Sequence, residues 1–209
     1  MYLPSHFAAA DPEALHQIVR AHPLGALVTH GEQGLDANHL PFEFDAGEGE
    51  HGVLRAHVAR NNPLWQVVTD GQEVLVIFKA ADAYVSPNWY PSKQTHHQQV
   101  PTWNYAVVHV HGRIRVRDDA RFVRRLLASL TRVHEAAESK PWKMADAPRD
   151  YLEAMVAAVV GIEVEITRLV GKFKLSQNKE GEDRQGAIDA LQERGHGVLA
   201  EAMQRGPSR

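Results

Sequence analysis

The sequence predicts a mainly β fold with peripheral helices (α+β), a barrel or sheet rather than a doubly wound parallel sheet. Three observations lead there. Short runs of β-forming residues recur between turn signals through the first half of the chain, helical periodicity is concentrated later, and the glycine fingerprints of nucleotide-binding loops are absent.

Taken in order, Asp11-Pro12-Glu13 sets a capping acid before a proline at the first helical position, and Leu15, Ile18 and Val19 follow at helical spacing. A first helix therefore runs to about His22. Leu24 to His30 and Asn38-His39-Leu40-Pro41-Phe42-Glu43-Phe44 read as paired strands, and Gly47 and Gly49 bracket a turn before a strand from Val53 to Val58. Glu73-Val74-Leu75-Val76-Ile77-Phe78 reads as a strand buried on both faces. Ser86 to Pro101 has no period and reads as a long ordered loop. Between Val107 and Arg117, Val108, Val110, Ile114 and Val116 alternate with His109, His111, Arg113, Arg115 and Arg117, which gives a strand with one dry face. Asp118 stands where it can cap a helix whose Phe122, Leu126, Leu127, Leu130 and Val133 form one stripe. A helix over about Arg149 to Val160 follows. Ile162, Val164 and Ile166 then alternate with Glu163, Glu165 and Thr167 in a last strand, and Asp183 to Arg194 is a polar terminal helix. The expected organisation is one domain over 1–175 with a C-terminal helical extension over 176–209.

Composition narrows the chemistry. With 23 Lys and Arg against 26 Asp and Glu, the net charge of -3 supplies no bulk attraction to nucleic acid or an anionic membrane. The absence of cysteine removes disulfides, thiolate metal sites and cysteine nucleophiles, and it fits a reducing compartment. No apolar run is long enough to span a bilayer, and Met1-Tyr2-Leu3-Pro4-Ser5-His6 does not read as a leader, so a cytoplasmic protein is expected.

Three constellations carry possible chemistry. In the first, a strand ends on His57-Val58-Ala59-Arg60-Asn61-Asn62-Pro63. Arginine offers a planar fork of donors matched to two phosphate oxygens, and Asn61 with nearby N–H groups can complete a cradle. In the second, Tyr84-Val85-Ser86-Pro87-Asn88-Trp89-Tyr90-Pro91-Ser92-Lys93 and Val100-Pro101-Thr102-Trp103-Asn104-Tyr105 interleave aromatics with hydroxyls, amides and a lysine, as a flat heteroaromatic ring with a polar rim requires. In the third, Gly171-Lys172-Phe173-Lys174-Leu175-Ser176-Gln177-Asn178 ends an apolar strand on cations, a hydroxyl and amides. Singly, each also fits a plain structural role: a surface cation beside a turn, a packed loop, a solvated strand end. His109 and His111 share a strand face, but no third ligand stands at a recognised metal spacing. The basic group Arg113, Arg115, Arg117, Arg121, Arg124 and Arg125 reads as a solvated face, without a helix-turn-helix pair beside it.

Together and in order, these residues resemble the PaiB-like FMN-binding negative transcriptional regulators. The resemblance spans Met1-Tyr2-Leu3-Pro4 with His6-Phe7, His39-Leu40-Pro41-Phe42, His57 to Pro63, Ala83 to Pro87 with Trp89-Tyr90, Val100 to Tyr105, and Lys174 to Asn178. It implies an FMN-binding split β-barrel of the pyridoxamine-phosphate-oxidase type, with FMN in a groove at a homodimer interface. By that likeness Arg60 holds the phosphate, Asn38, His39 and Leu40 line the ribityl chain and ring, and His57 and Asn61 belong to the same cradle. Trp89, Tyr90, Lys93, Thr102, Trp103 and Asn104 flank the flavin or close its pocket, and Lys174, Ser176 and Gln177 approach it from either subunit. The function implied is negative regulation of transcription, with DNA as a partner from the resemblance alone; the alternative is an FMN-dependent oxidoreductase acting on a small molecule. Two departures stand out. Lys79-Ala80-Ala81-Asp82 occupies a place where relatives tend to have a Gly-Pro turn, and Pro91 interrupts the stretch between Tyr90 and Lys93.

Overall fold

A computed structural model describes residues 1–206. The strands are β1 (Ala8–Ala9), β2 (Leu24–Gly31), β3 (Gly34–Pro41), β4 (Glu43–Asp45), β5 (Val53–Ala59), β6 (Glu73–Val85), β7 (Thr102–Arg117) and β8 (Val159–Lys174). The helices are α1 (Pro12–Ala21), α2 (Leu64–Val67), α3 (Lys93–His96), α4 (Ala120–His134), α5 (Arg149–Ala157), α6 (Gly181–Glu193) and α7 (Gly197–Arg205). The sheet order is β3-β2-β6-β7-β8-β5-β4, with β1 paired to β8. The pairings of β2 with β3 and β6, of β5 with β4 and β8, and of β1 with β8 are antiparallel. The chain forms two compact units. The first comprises Met1–His22, Phe78–His109 and the chain from Val170 on; the second comprises Pro23–Ile77 and Val110–Leu169. No helix of the described residues is long and apolar enough to cross a membrane.

In the second unit, β5 pairs with β8 from Val53↔Glu165 to Ala59↔Val159. Period-two alternation sends Leu54, Ala56 and Val58 inward together with Val160, Ile162 and Val164. On β7, Val110 and Ile114 are buried while Arg113, Arg115 and Arg117 are exposed, the expected parity. The helical stripe of α4 packs Phe122, Val123, Leu126 and Leu130 against Val156 of α5. Phe122 sits where Gly161 leaves room, since a Cβ there would lie 2.6 Å from its ring and 2.9 Å from the Arg117 carbonyl. The cap of α4 is Asp119 rather than Asp118. The helix begins at Ala120, so the residue before it is the one whose carboxylate can accept the Phe122 N–H, here at 2.7 Å.

In the first unit, Asp11 caps α1 by accepting the Glu13 N–H at 3.0 Å, and Leu15 and Val19 are buried. α6 and α7 bury Ala187, Ile188, Leu191, Leu199, Ala200 and Met203. Full burial of an aliphatic side chain contributes about 1.5–3 kcal/mol. The terminal segment is thus two helices with an apolar face, where the sequence read as one polar helix. Two strands also differ from expectation. β7 begins at Thr102, five residues before the strand expected from Val107. β6 continues through Lys79-Ala80-Ala81-Asp82, with Lys79 paired to Asp82, so there is no turn at that departure. Along β6, Val74, Val76 and Phe78 are buried but Leu75 and Ile77 only half so; one face is dry, not both.

Candidate functional site

The second unit holds Asn38, His39, Leu40, His57, Arg60 and Asn61. β3 pairs with β2 through Asn38↔Leu27, His39↔Ala26 and Leu40↔Gly25. The alternation leaves His39 exposed and turns Leu40 into the core. β5 ends in a turn closed by the Asn62 N–H on the Ala59 carbonyl at 2.8 Å, while the Arg60 N–H reaches the Ala158 carbonyl at 2.8 Å. Asn62 then ties the group together. Its Nδ2 donates to Asn38 Oδ1 at 2.8 Å and its Oδ1 accepts the Leu64 N–H at 2.9 Å.

Arg60 is fixed from several sides. Nε donates to the Ala157 carbonyl at 2.7 Å, the Trp65 indole N–H donates to the Arg60 carbonyl at 2.9 Å, and the guanidinium lies 5.6 Å from the centre of the Trp65 ring. Its fork grips Asp118: Nη2 to Oδ1 at 2.6 Å and Nη1 to Oδ2 at 3.0 Å. These hydrogen bonds hold the Asp118 carboxyl below its usual pKa and raise that of Arg60. His57 is the odd member. Its Nδ1 is buried without a hydrogen-bond partner among the described residues, and burial pushes the imidazole pKa down.

The first unit holds Trp89, Tyr90, Lys93, Thr102, Trp103, Asn104, Lys174, Ser176 and Gln177. Ser86 opens the loop by accepting the Asn88 N–H at 3.2 Å, and the Lys93 ammonium bonds to Asn88 Oδ1. From β7, Thr102 accepts from Lys174, and the Asn104 amide donates to Ser176 Oγ at 2.8 Å and approaches Met203 Sδ at 3.3 Å. Ser176 has φ 58°, a left-handed conformation that this side-chain bond helps to hold. Gln177 closes the end of β8 on itself, accepting the Leu175 N–H at 2.7 Å and donating to the Phe173 carbonyl at 2.5 Å.

Burial sorts these residues. Tyr90, Asn104 and Ser176 are 1%, 1% and 3% exposed, so they act on a site through what they position. Trp103 is 55% exposed and meets Tyr84 edge-on at 6.2 Å. Burial pushes the Tyr90 hydroxyl up in pKa; Ser176 opposes the rise, but among the described residues no partner reaches hydrogen-bonding geometry at its oxygen. Partial burial, reinforced by repulsion from Lys172 and Lys179, draws the Lys174 ammonium down.

Sequence reasoning missed several members. Asp118 is the anion on the Arg60 fork. Asp183, only 3% exposed, accepts the Ser92 N–H at 2.9 Å, the Ser92 hydroxyl at 2.6 Å and the Gln99 amide at 2.9 Å, binding the aromatic loop to α6. Arg194 of the chain after α6 covers the Trp89 ring at 4.8 Å. An acid in the first turn of a helix was the one available signal for Asp183, and it reads equally well as a solvated dipole partner.

The model of the Putative FMN-binding domain matches residues 1–168. The chain belongs to the Putative FMN-binding domain family. This family member is 35% identical to an uncharacterized protein of Emericella nidulans over 93% of its own length and 92% of the relative. It is also a homologue of the Protease synthase and sporulation protein PAI 2 of Bacillus subtilis, the PaiB protein, at 29% identity over 92% and 89% of the two chains. Its fold is similar to that of the flavocytochrome Anf3 from Azotobacter vinelandii, with TM-score 0.59 and 15% identity over 80% of this chain and 69% of that one. An antiparallel sheet with peripheral helices, of the kind found in FMN-binding split-barrel proteins, is thus the fold of this family member as expected from its sequence.

Proposed function

We propose that this protein binds flavin mononucleotide and, as a homodimer in the cytoplasm, acts as a negative regulator of transcription. Family membership supports the cofactor, and one structural observation carries the site: the Arg60 fork, preset by Ala157 and Trp65, holds two oxygens of a carboxylate. A phosphate monoester offers the same paired oxygens with more charge. Asp118 is 45% exposed, so it can give way to a phosphate without leaving a buried charge behind. The residues present therefore fit the phosphate end of the cofactor. Asn61, exposed beside the fork, adds a donor, and Asn62 holds Asn38 in place.

In the first unit, exposed Trp103 offers a ring face, and Lys174 offers a cation whose lowered pKa is restored by a nearby anion. When bound, FMN supplies electron transfer. The residues of this chain bind, orient and shield it. The regulatory reading rests on kinship with PAI 2, whose name places it in protease synthesis and sporulation.

Absorption spectra and FMN titration of the purified protein test the cofactor. Arg60→Ala is expected to weaken FMN binding by about tenfold or more, with Arg60→Lys intermediate because it keeps the charge but loses the fork. An unchanged titration curve for Arg60→Ala refutes the phosphate role. Mobility-shift assays with upstream DNA at several salt concentrations test the regulator; no salt-sensitive complex with or without FMN defeats it.

A further inference from the structure

The second unit contains a cavity that the residues discussed so far do not use. It opens between α4 and strands β4, β5, β7 and β8, with a volume of about 370 Å³. At about 30 Å³ for each water in the liquid, it holds a molecule the size of roughly a dozen waters. Phe122, Arg125, Leu126 and Ser129 line it from α4, and their spacing puts them on one helix face.

Its polarity is divided. Arg55 is surrounded by carboxylates: Nε donates to Glu163 at 3.0 Å, Nη1 to Asp45 at 3.4 Å and Nη2 to Glu48 at 2.5 Å. Glu43, which accepts from the Ser129 hydroxyl, adds a further carboxylate. Of the charged groups lining the cavity three are acidic, Glu43, Glu48 and Glu163, and three basic, Arg55, Arg117 and Arg125; Arg55 pairs with Glu48 and Glu163, and Arg117 stands 3.8 Å from Glu163, so Glu43 is left with the Ser129 hydroxyl and no cation among the described residues. Arg125 is exposed, and among the described residues its side chain has no hydrogen bond or ion pair. A carboxylate and a guanidinium, each without a counter-ion among the described residues and joined by the apolar surface of Phe122 and Leu126, select a ligand that carries both charges.

We propose that this cavity binds a small amine-acid whose ammonium and carboxylate are separated by a short methylene chain. The ammonium meets Glu43 beside Ser129, and the carboxylate meets the Arg125 guanidinium. Arg125 and Ser129 stand one helical turn apart, about 5–6 Å between their Cβ atoms. An ω-amino acid, whose two charges stand several bonds apart where those of an α-amino acid share a carbon, can meet both groups while its methylenes lie on Phe122 and Leu126.

Calorimetric titration of the full chain with δ-aminovalerate tests this, with valerate, amylamine and L-valine as comparison probes. Saturable binding of δ-aminovalerate is expected, with each comparison probe weaker by about tenfold or more because one charge is missing or misplaced. Arg125→Gln and Glu43→Gln should each lose about tenfold in affinity, and Arg124→Gln, on the exposed face, should lose none. Absence of saturable heat with δ-aminovalerate overturns the proposal, as does equal binding of valerate or full retention of affinity in Arg125→Gln. Should Glu43→Gln fold poorly, the probe series on the unaltered protein and the Arg125 variant still decide the matter. None of these residues belongs to the Arg60 group, so the outcome is independent of flavin binding.

Discussion

Replacing Asp183 by alanine should loosen the aromatic loop from the inside. The carboxylate is 3% exposed and accepts three hydrogen bonds, from the Ser92 N–H, the Ser92 hydroxyl and the Gln99 amide. Hydrogen bonds to a charged group contribute about 1.5–3 kcal/mol each, but the three are not lost independently. Gln99 keeps a bond of 2.8 Å to Ser92 Oγ, and the hydroxyl can rotate toward another acceptor. The Ser92 backbone N–H has no such recourse. One fully orphaned donor and two weakened ones give roughly 3 kcal/mol, which for a chain of this size lowers the melting temperature by about 6–12 °C. Asp183→Asn should do less harm, since its amide oxygen still accepts the Ser92 N–H while its nitrogen opposes the Gln99 donor. Urea denaturation should show a lower midpoint at unchanged slope, and limited proteolysis should cut first between Trp89 and His97. A melting temperature within about 2 °C of the parent for Asp183→Ala would refute the assignment of these bonds as the loop's anchor.

Two other outcomes follow from the same geometry. Gly186→Ala sits in a helix, where the change ordinarily stabilises by about 1 kcal/mol, but here the new Cβ would lie 2.2 Å from the Trp89 carbonyl; calorimetry should register destabilisation, and a gain would contradict the contact. For His57, the folded pKa lies below the ordinary 6.5 because burial disfavours the cation, so above that pH both states are neutral and it contributes no pH dependence. As pH falls from about 6.5 toward the folded pKa, the unfolded chain binds the proton and the native chain does not, so stability declines. Denaturation series across that window should show a shallower decline in His57→Gln, and identical slopes would disprove the buried neutral imidazole.

Much of the candidate site was legible as residue types but not as contacts. The chemistry of its motif singled out Arg60 and Asn61, the family resemblance added Asn38, and the order of the motifs pointed to the family. Yet the partner of Arg60 is Asp118, 58 positions away, and the anchor of Ser92 is Asp183, 91 positions away. Capping rules assigned Asp118 to α4, although Asp119 takes that place. Among the residues expected to touch a flavin, Tyr90 and Asn104 are buried; for Asn104 the reason is that β7 starts early enough to carry it inward by strand alternation.

What the sequence determined by itself is what short-range physics encodes. The capping acid and proline of α1, the stripe of α4 and the parity of β7 each depend on residues a few positions apart, where periodicity fixes which side chains share a face. The tertiary structure decided what depends on distant segments meeting. It turned α6 and α7 from a polar tail into a packed pair, set a carboxylate on the Arg60 fork, and left the Arg125 side chain without an ion pair among the described residues. Charges and hydrogen bonds act through space over a few ångströms, and the sequence states the donors and acceptors without their distances.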